Sequence, residues 1–229
     1  RQSLARPYEI RGRSVQLTTS AGIAMLPRDG QDAQVLLERA EAAMYAAKQQ
    51  GRDRKTFYTP GFAAAAAQRV DLENALRSAL AAGQFELHYQ PKVLRDGTVA
   101  GFEALLRWNR PGHGQVSPLT FIPLAERLGL LVDIGAWVID EACKAMAEWR
   151  EAGLGRIPVA VNLSLNQLNS GEVLSRVQAS LRPHAIGPNE LGLEVTESVM
   201  MRNPEQAIAV LRSLVGAGVE LSIDDFGTG

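Results

Sequence analysis

The sequence predicts an α/β chain in which an incomplete (β/α) barrel follows a shorter α+β segment and a connecting helix. Three observations carry this. From Gln84 onward strand patterns and helix patterns alternate, which implies parallel βα units. The alanine-rich stretch from Phe62 to Ala82 marks the boundary with what precedes it. Four of the strands also carry an oxygen-bearing side chain toward their C-terminal ends, where such barrels collect their chemistry.

The chain has 229 residues, enough for one large or two ordinary domains. A hydrophobic content of 46% with 21% charged residues describes a folded chain, not a disordered one. The net charge of −1 provides no field to draw in a nucleic-acid polymer or an anionic membrane. Its one cysteine, Cys143, rules out an intrachain disulfide framework and a multi-cysteine zinc site. It falls in a helical pattern and reads as a small buried apolar residue. No run approaches the roughly 18 apolar residues of a membrane span, so the expectation is cytoplasmic, with any membrane anchor outside this fragment. The chain opens on what looks like mid-domain sequence and closes on the Gly-rich turn Asp224-Asp225-Phe226-Gly227-Thr228-Gly229. Both ends suggest a piece of a longer protein, with an upstream sensory domain outside it.

Ser14 to Met25 alternates like a strand and is closed by the turn Pro27-Arg28-Asp29-Gly30. Asp32 is placed to cap a helix from about Ala33 to Gln50, and Gly51 to end it. Lys48 and Arg52 near that end read as favourable charge at a helix C-terminus. Phe62 to Ala82 is a stiff helical connector. Phe85–Pro91 and Thr98–Trp108 are strands in close succession. Ser117-Pro118 opens a helix to about Leu128, with Pro at a tolerated early position. A second helix runs from about Val132 to Ala152, stopped by Gly153. Then come Ile157–Leu163 (strand), Gly171–Leu181 (helix), Leu191–Thr196 (strand), Pro204–Ala217 (helix) and Val219–Asp224 (strand).

Alternation along Val99–Trp108 puts Gly101, Glu103, Leu105 and Arg107 on one side, and Phe102, Ala104, Leu106 and Trp108 on the other. An acid and a base inside an apolar strand are costly to bury unless paired or bound to something. Glu103, Asn162, Glu194 and Asp224 are the oxygen-bearing residues of four strands, and in the last three they alternate against bulky apolar neighbours. Each alone reads more readily as an N-cap, a loop carboxylate or an Asx turn. Gathered at one rim, the acids among them would repel unless a cation neutralised them. Oxygen donors without His or Cys suit Mg²⁺ or Mn²⁺ rather than zinc. Glu197 and Asp225 are placed to join a second metal or brace a loop. His88, His113 and His184 fit no ligand spacing, and Trp108, Trp137 and Trp149 read as packing residues.

Two resemblances follow from these motifs. Thr19-Ser20-Ala21-Gly22-Ile23-Ala24, Pro27-Arg28-Asp29-Gly30, Ala40 to Lys48 and Gly51-Arg52-Asp53-Arg54 resemble the C-terminal third of a GGDEF domain. That family makes cyclic di-GMP from GTP. The resemblance implies nucleotide-phosphate contacts for Lys48 and Arg52. Glu41 stands where the family usually has Asp, and the signature GGDEF loop is not in this sequence, so the resemblance carries no cyclase activity here.

The second covers residues 84–229. Tyr89-Gln90-Pro91, Glu103 to Trp108, Pro118 to Leu130, Val161-Asn162-Leu163-Ser164, Leu193 to Ser198 and Asp224 to Gly229 resemble successive motifs of the EAL domain. The resemblance implies a modified TIM barrel that hydrolyses cyclic di-GMP to linear pGpG with Mg²⁺ or Mn²⁺. By it Glu103, Asn162, Glu194 and Asp224 are metal ligands and Asp225 serves the second metal. Glu197 anchors the loop starting at Phe226, and Gln90, Leu105 and Arg107 contact the dinucleotide. The family's assisting Lys and remaining ligands would lie beyond Gly229, so activity is expected of the parent protein and not of residues 1–229 alone. A catalytically silent cyclic di-GMP receptor is the alternative. The resemblance also implies pairing through the barrel as a homodimer. The division expected is 1–58 (GGDEF part), 59–83 (connecting helix) and 84–229 (EAL part).

Overall fold

Asp32 and Gly51 bracket the first helix as their chemistry requires. The Asp32 carboxylate accepts from the N–H groups of Gln34 (2.8 Å) and Val35 (3.3 Å), satisfying two donors that a helix start leaves open. The resulting helix α1 is Ala33–Gln49, and Gly51 follows it at φ +101°, the left-handed conformation that ends helices. The computed structural model describes residues 6–196 and 204–224, with the backbone alone at 13, 196, 204–206 and 224. Its internal contacts divide it into two units, Arg1–Asn74 and Ala75–Gly229.

In the first unit, β1 (Tyr8–Ile10) and β2 (Arg13–Val15) form an antiparallel hairpin. Its turn residues Arg11 and Gly12 both have positive φ, +53° and +76°, the pairing that matches strand twist. The single strand expected over Ser14–Met25 is in fact two. β2 belongs to the hairpin, whereas β3 (Ala21–Ile23) pairs in parallel with β4 (Lys55–Phe57). Two sheets claim one alternating run, and residues 16–20 cross between them. α1 connects β3 to β4 and rests on β3 at Gly22, where a Cβ would sit 1.9 Å from the Ala40 carbonyl oxygen. α2 is Pro60–Ala79. Its Arg69 guanidinium lies 4.8 Å from the centre of the Tyr45 ring and bonds Glu73 at 2.8 Å.

The second unit is built on one sheet. Its strands are β5 (Phe85–Val93), β6 (Val99–Arg110), β7 (Gly114–Val116), β8 (Val159–Asn162), β9 (Leu191–Thr196) and β10 (Glu220–Asp224). They are ordered β10-β9-β8-β6-β5, with β7 paired to β6. β5 and β6 are antiparallel, joined through Asp96-Gly97, while β6, β8, β9 and β10 run parallel. The helices are α3 (Pro118–Arg127), α4 (Leu131–Glu151), α5 (Leu165–Asn169), α6 (Val173–Leu181) and α7 (Pro204–Gly216). β1, β4, β7 and α5 are too short to give a periodic signal in the sequence.

The core lies on the face of the sheet that the helices cover. Ala104, Trp108, Val159, Val161, Leu191, Leu193 and Val195 are buried there, as are Ile134, Ile139, Ala142 and Cys143 of α4. Aromatic rings pin the helices down. Trp108 packs edge-on against Phe121 of α3 (5.7 Å), and Trp149 of α4 packs edge-on against Tyr89 (4.7 Å). The Trp137 ring lies 6.1 Å from that of Phe85, so all three tryptophans are packing residues, as their positions imply. The opposite, concave face carries the polar side chains.

Candidate functional site

Register decides which side chains share the concave face. Across the antiparallel pair, Gln90 stands opposite Glu103, His88 opposite Leu105 and Glu86 opposite Arg107. Across the parallel pairs, Glu103 matches Ala160, Ala160 matches Gly192, Asn162 matches Glu194, and Glu194 matches Ser222. Gln90, Glu103, Leu105, Arg107, Asn162 and Glu194 therefore all belong to one face. Slipping any strand by one residue would send its acid under the helices, so the buried apolar face enforces the polar one.

Asn162 donates from Nδ2 to Glu103 Oε1 at 2.7 Å. Glu194 is 7% exposed, and its Oε1 accepts from Lys92 Nζ and from Ser222 Oγ (3.4 Å). Leu105, Arg107, Asn162 and Glu194 line a cavity of about 490 Å³ whose far wall is apolar, formed by Ile122, Ile134 and their neighbours. Arg107 donates to the Leu106 carbonyl at 3.0 Å, which fixes its guanidinium at the cavity wall. Gln90 faces Glu103 in the register but does not line the cavity.

One expectation needs correction. Glu103 does not sit at a strand end: β6 runs on for seven residues beyond it, to Arg110, because its far half pairs with β7. Asn162 and Asp224 do end their strands, and Glu194 lies two residues short of the end of β9. Glu103, Asn162 and Glu194 share one face of the sheet instead of one level rim. Asp224 is in register with Thr196. Glu197 and Asp225 lie outside the described residues.

The donor set fits a hard divalent cation. Glu103 and Glu194 offer carboxylate oxygens, and Asn162, which donates through its nitrogen, keeps Oδ1 as an acceptor. Glu194 already holds a positive charge, the Lys92 ammonium standing where a cation would neutralise it. Among the described residues no three His, Cys, Asp or Glu side chains close on one point to cage an ion.

Two features escaped the sequence reading. Lys92 has the same strand parity as Gln90, and alternation alone would have put it on the concave face. Behind Asn162, Ser164 caps α5 in a reciprocal box: Gln167 Oε1 accepts from Ser164 N (3.0 Å) and Oγ (2.7 Å), while Ser164 Oγ accepts from Gln167 N (3.4 Å). The Ser-x-x-Gln spacing was legible.

Comparison with known proteins gives this geometry a lineage. The EAL domain model matches residues 73–229, and the model described as diguanylate cyclase, GGDEF domain, matches residues 1–54. The chain is 45% identical over 227 residues to the bifunctional diguanylate cyclase/cyclic di-GMP phosphodiesterase MucR of Pseudomonas aeruginosa, covering 99% of this chain and 33% of that protein. It is 36% identical over 226 residues to the cyclic di-GMP phosphodiesterase PdeR of Escherichia coli, covering 99% of this chain and 34% of that one. The chain thus spans about a third of the length of these relatives. Among solved structures it resembles the PaMucR phosphodiesterase in complex with c-di-GMP, with TM-score 0.67 and 48% identity over 69% of this chain and 65% of that one. It also resembles the EAL enzyme Bd1971 in a cGMP-bound form, with TM-score 0.66 and 30% identity over 86% of this chain and 54% of that one. The parallel strands, the outer helices and these matches agree with the modified TIM barrel of the EAL fold. The EAL model covers more than half of the sequence: the chain belongs to the EAL domain family, its EAL part preceded by a GGDEF region.

Proposed function

We propose that the parent protein hydrolyses cyclic di-GMP to linear pGpG, using Mg²⁺ or Mn²⁺ held by Glu103, Asn162, Glu194 and Asp224, with Asp225 at a second ion. The observation that carries this reading is the meeting of Glu103, Asn162 and Glu194 on one concave face beside an arginine-bearing cavity. Bound there, divalent ions supply an activated water and offset the charge of the leaving oxygen. The chain's own residues do the rest. Arg107 presents a planar fork of N–H donors suited to a phosphate. Leu105 and the apolar cavity wall exclude water from one side of the dinucleotide, and Gln90 offers an amide to it. Asn162 holds the Glu103 carboxylate in place. In the same reading Glu197 anchors the loop starting at Phe226.

The same reading divides the chain into a GGDEF part (1–58), a connecting helix (59–83) and an EAL part (84–229). A cytoplasmic location and pairing through the EAL domain go with it.

The test is turnover of cyclic di-GMP by the full-length protein with Mg²⁺, followed by chromatography of pGpG. Product that disappears on chelation is expected. Tight binding without product would replace the enzyme with a silent receptor, and neither binding nor product would overturn both.

A further inference from the structure

Lys92 bonds a carboxylate three strands away. It sits on β5, and Glu194 sits on β9, with β6 and β8 between them in the sheet. A lysine spans that separation only because the sheet curls toward this face, as barrel closure demands. The strand itself helps to aim it: the β5–β6 register shifts between Lys92 and Val93, and opposite Lys92 stands Gly101, which places no side chain in the way. Glu194 is nearly buried while the Lys92 side chain remains 43% exposed. The acid therefore depends on its partner more than the base does: an unpaired buried carboxylate is costly, whereas the ammonium can return to water on a flexible stem.

We infer that Lys92 is a tethered counter-cation: it occupies the Glu194 carboxylate when no metal is bound and must be displaced for a divalent ion to bind. This rests on the proposed cation site and adds that metal binding there is a competition. Entry of the ion exchanges one positive partner of Glu194 for another, so the pair subtracts from metal affinity and adds to the stability of the metal-free protein. The pair keeps the buried Glu194 carboxylate compensated in the metal-free protein.

The experiment is calorimetric titration of the full-length protein with Mn²⁺ alone, together with thermal melting in chelator and in Mn²⁺. Lys92→Met is expected to bind Mn²⁺ about tenfold more tightly than wild type, the size of one ion pair of this burial. It should also melt lower than wild type in chelator and gain more from added Mn²⁺. Lys92→Arg, which keeps the charge and adds a second donor, should bind Mn²⁺ no more tightly than wild type. Equal or weaker Mn²⁺ affinity in Lys92→Met overturns the inference while leaving the cation site standing. Absence of Mn²⁺ binding in wild type overturns the site as well.

Discussion

Asn162 and Glu103 are 59 positions apart in the chain, yet the Asn162 amide meets the Glu103 carboxylate at 2.7 Å across the β6–β8 pair. The bond couples the two side chains. Glu103→Ala and Asn162→Ala should each lower cyclic di-GMP hydrolysis by the full-length protein by about 100-fold or more, with binding of the dinucleotide affected less. Because the two act as one unit, the double variant should be little worse than either single one. Additive losses in kcat would separate them.

Much of this fold was legible because its strands bury one face and leave the other polar. Val159, Val161, Leu193 and Val195 alternate with Ala160, Asn162 and Glu194, and that period assigned both the core and the site. The level of Glu103 was not legible. It depends on how far β6 runs past its neighbour, and that is set by β7, a three-residue strand with no periodicity to read. Lys92 was missed for a related reason: its partner is chosen by the curl of the whole sheet, a property no local window contains. In the first unit, the run Ser14–Met25 alternates as one strand would, and only its two different partners break it.

Asp29 titrates in a way that can be measured. The hydrogen bond from Arg28, then the one from the Met25 N–H, hold its carboxyl below the usual carboxylate range. Its folded pKa is thus lower than its unfolded one. The contribution to stability is complete above the unfolded value and is lost as pH falls through the folded one. Urea unfolding of the first unit should give a wild-type advantage over Asp29→Asn that is constant from neutral pH down to about 5 and shrinks below about 4. An advantage unchanged at pH 3 would show that the charge contributes nothing.

Cys143 should be inert. Burial among the α4 core residues pushes its thiol up to about 12, so at pH 8 only about one molecule in ten thousand carries the reactive thiolate. A chromogenic disulfide reagent should therefore leave Cys143 untouched in the native protein and label it fully in denaturant. Labelling at the rate of a free thiol under native conditions would mean that α4 opens readily from the sheet.

Gly135 tests the support behind the site. A Cβ at this position of α4 would lie 1.9 Å from Gln167 Nε2 and 2.4 Å from its Cδ. A side-chain end normally moves aside cheaply, but this one is buried and its Oε1 is held by both the N–H and the hydroxyl of Ser164. Gly135→Ala therefore breaks the cap of α5 or forces α4 off it. Alanine gains about 1 kcal/mol of helix propensity over glycine, while the steric and hydrogen-bond losses together run to about 2–4 kcal/mol. The net cost should be about 1–3 kcal/mol by urea unfolding. Because Ser164 follows Asn162 by two residues, turnover should fall as well. Adding Gln167→Ala removes the clash, so the double variant should recover part of the stability lost by Gly135→Ala while remaining without the cap. If Gly135→Ala alone is as stable as wild type, the helix has room that the structure denies it.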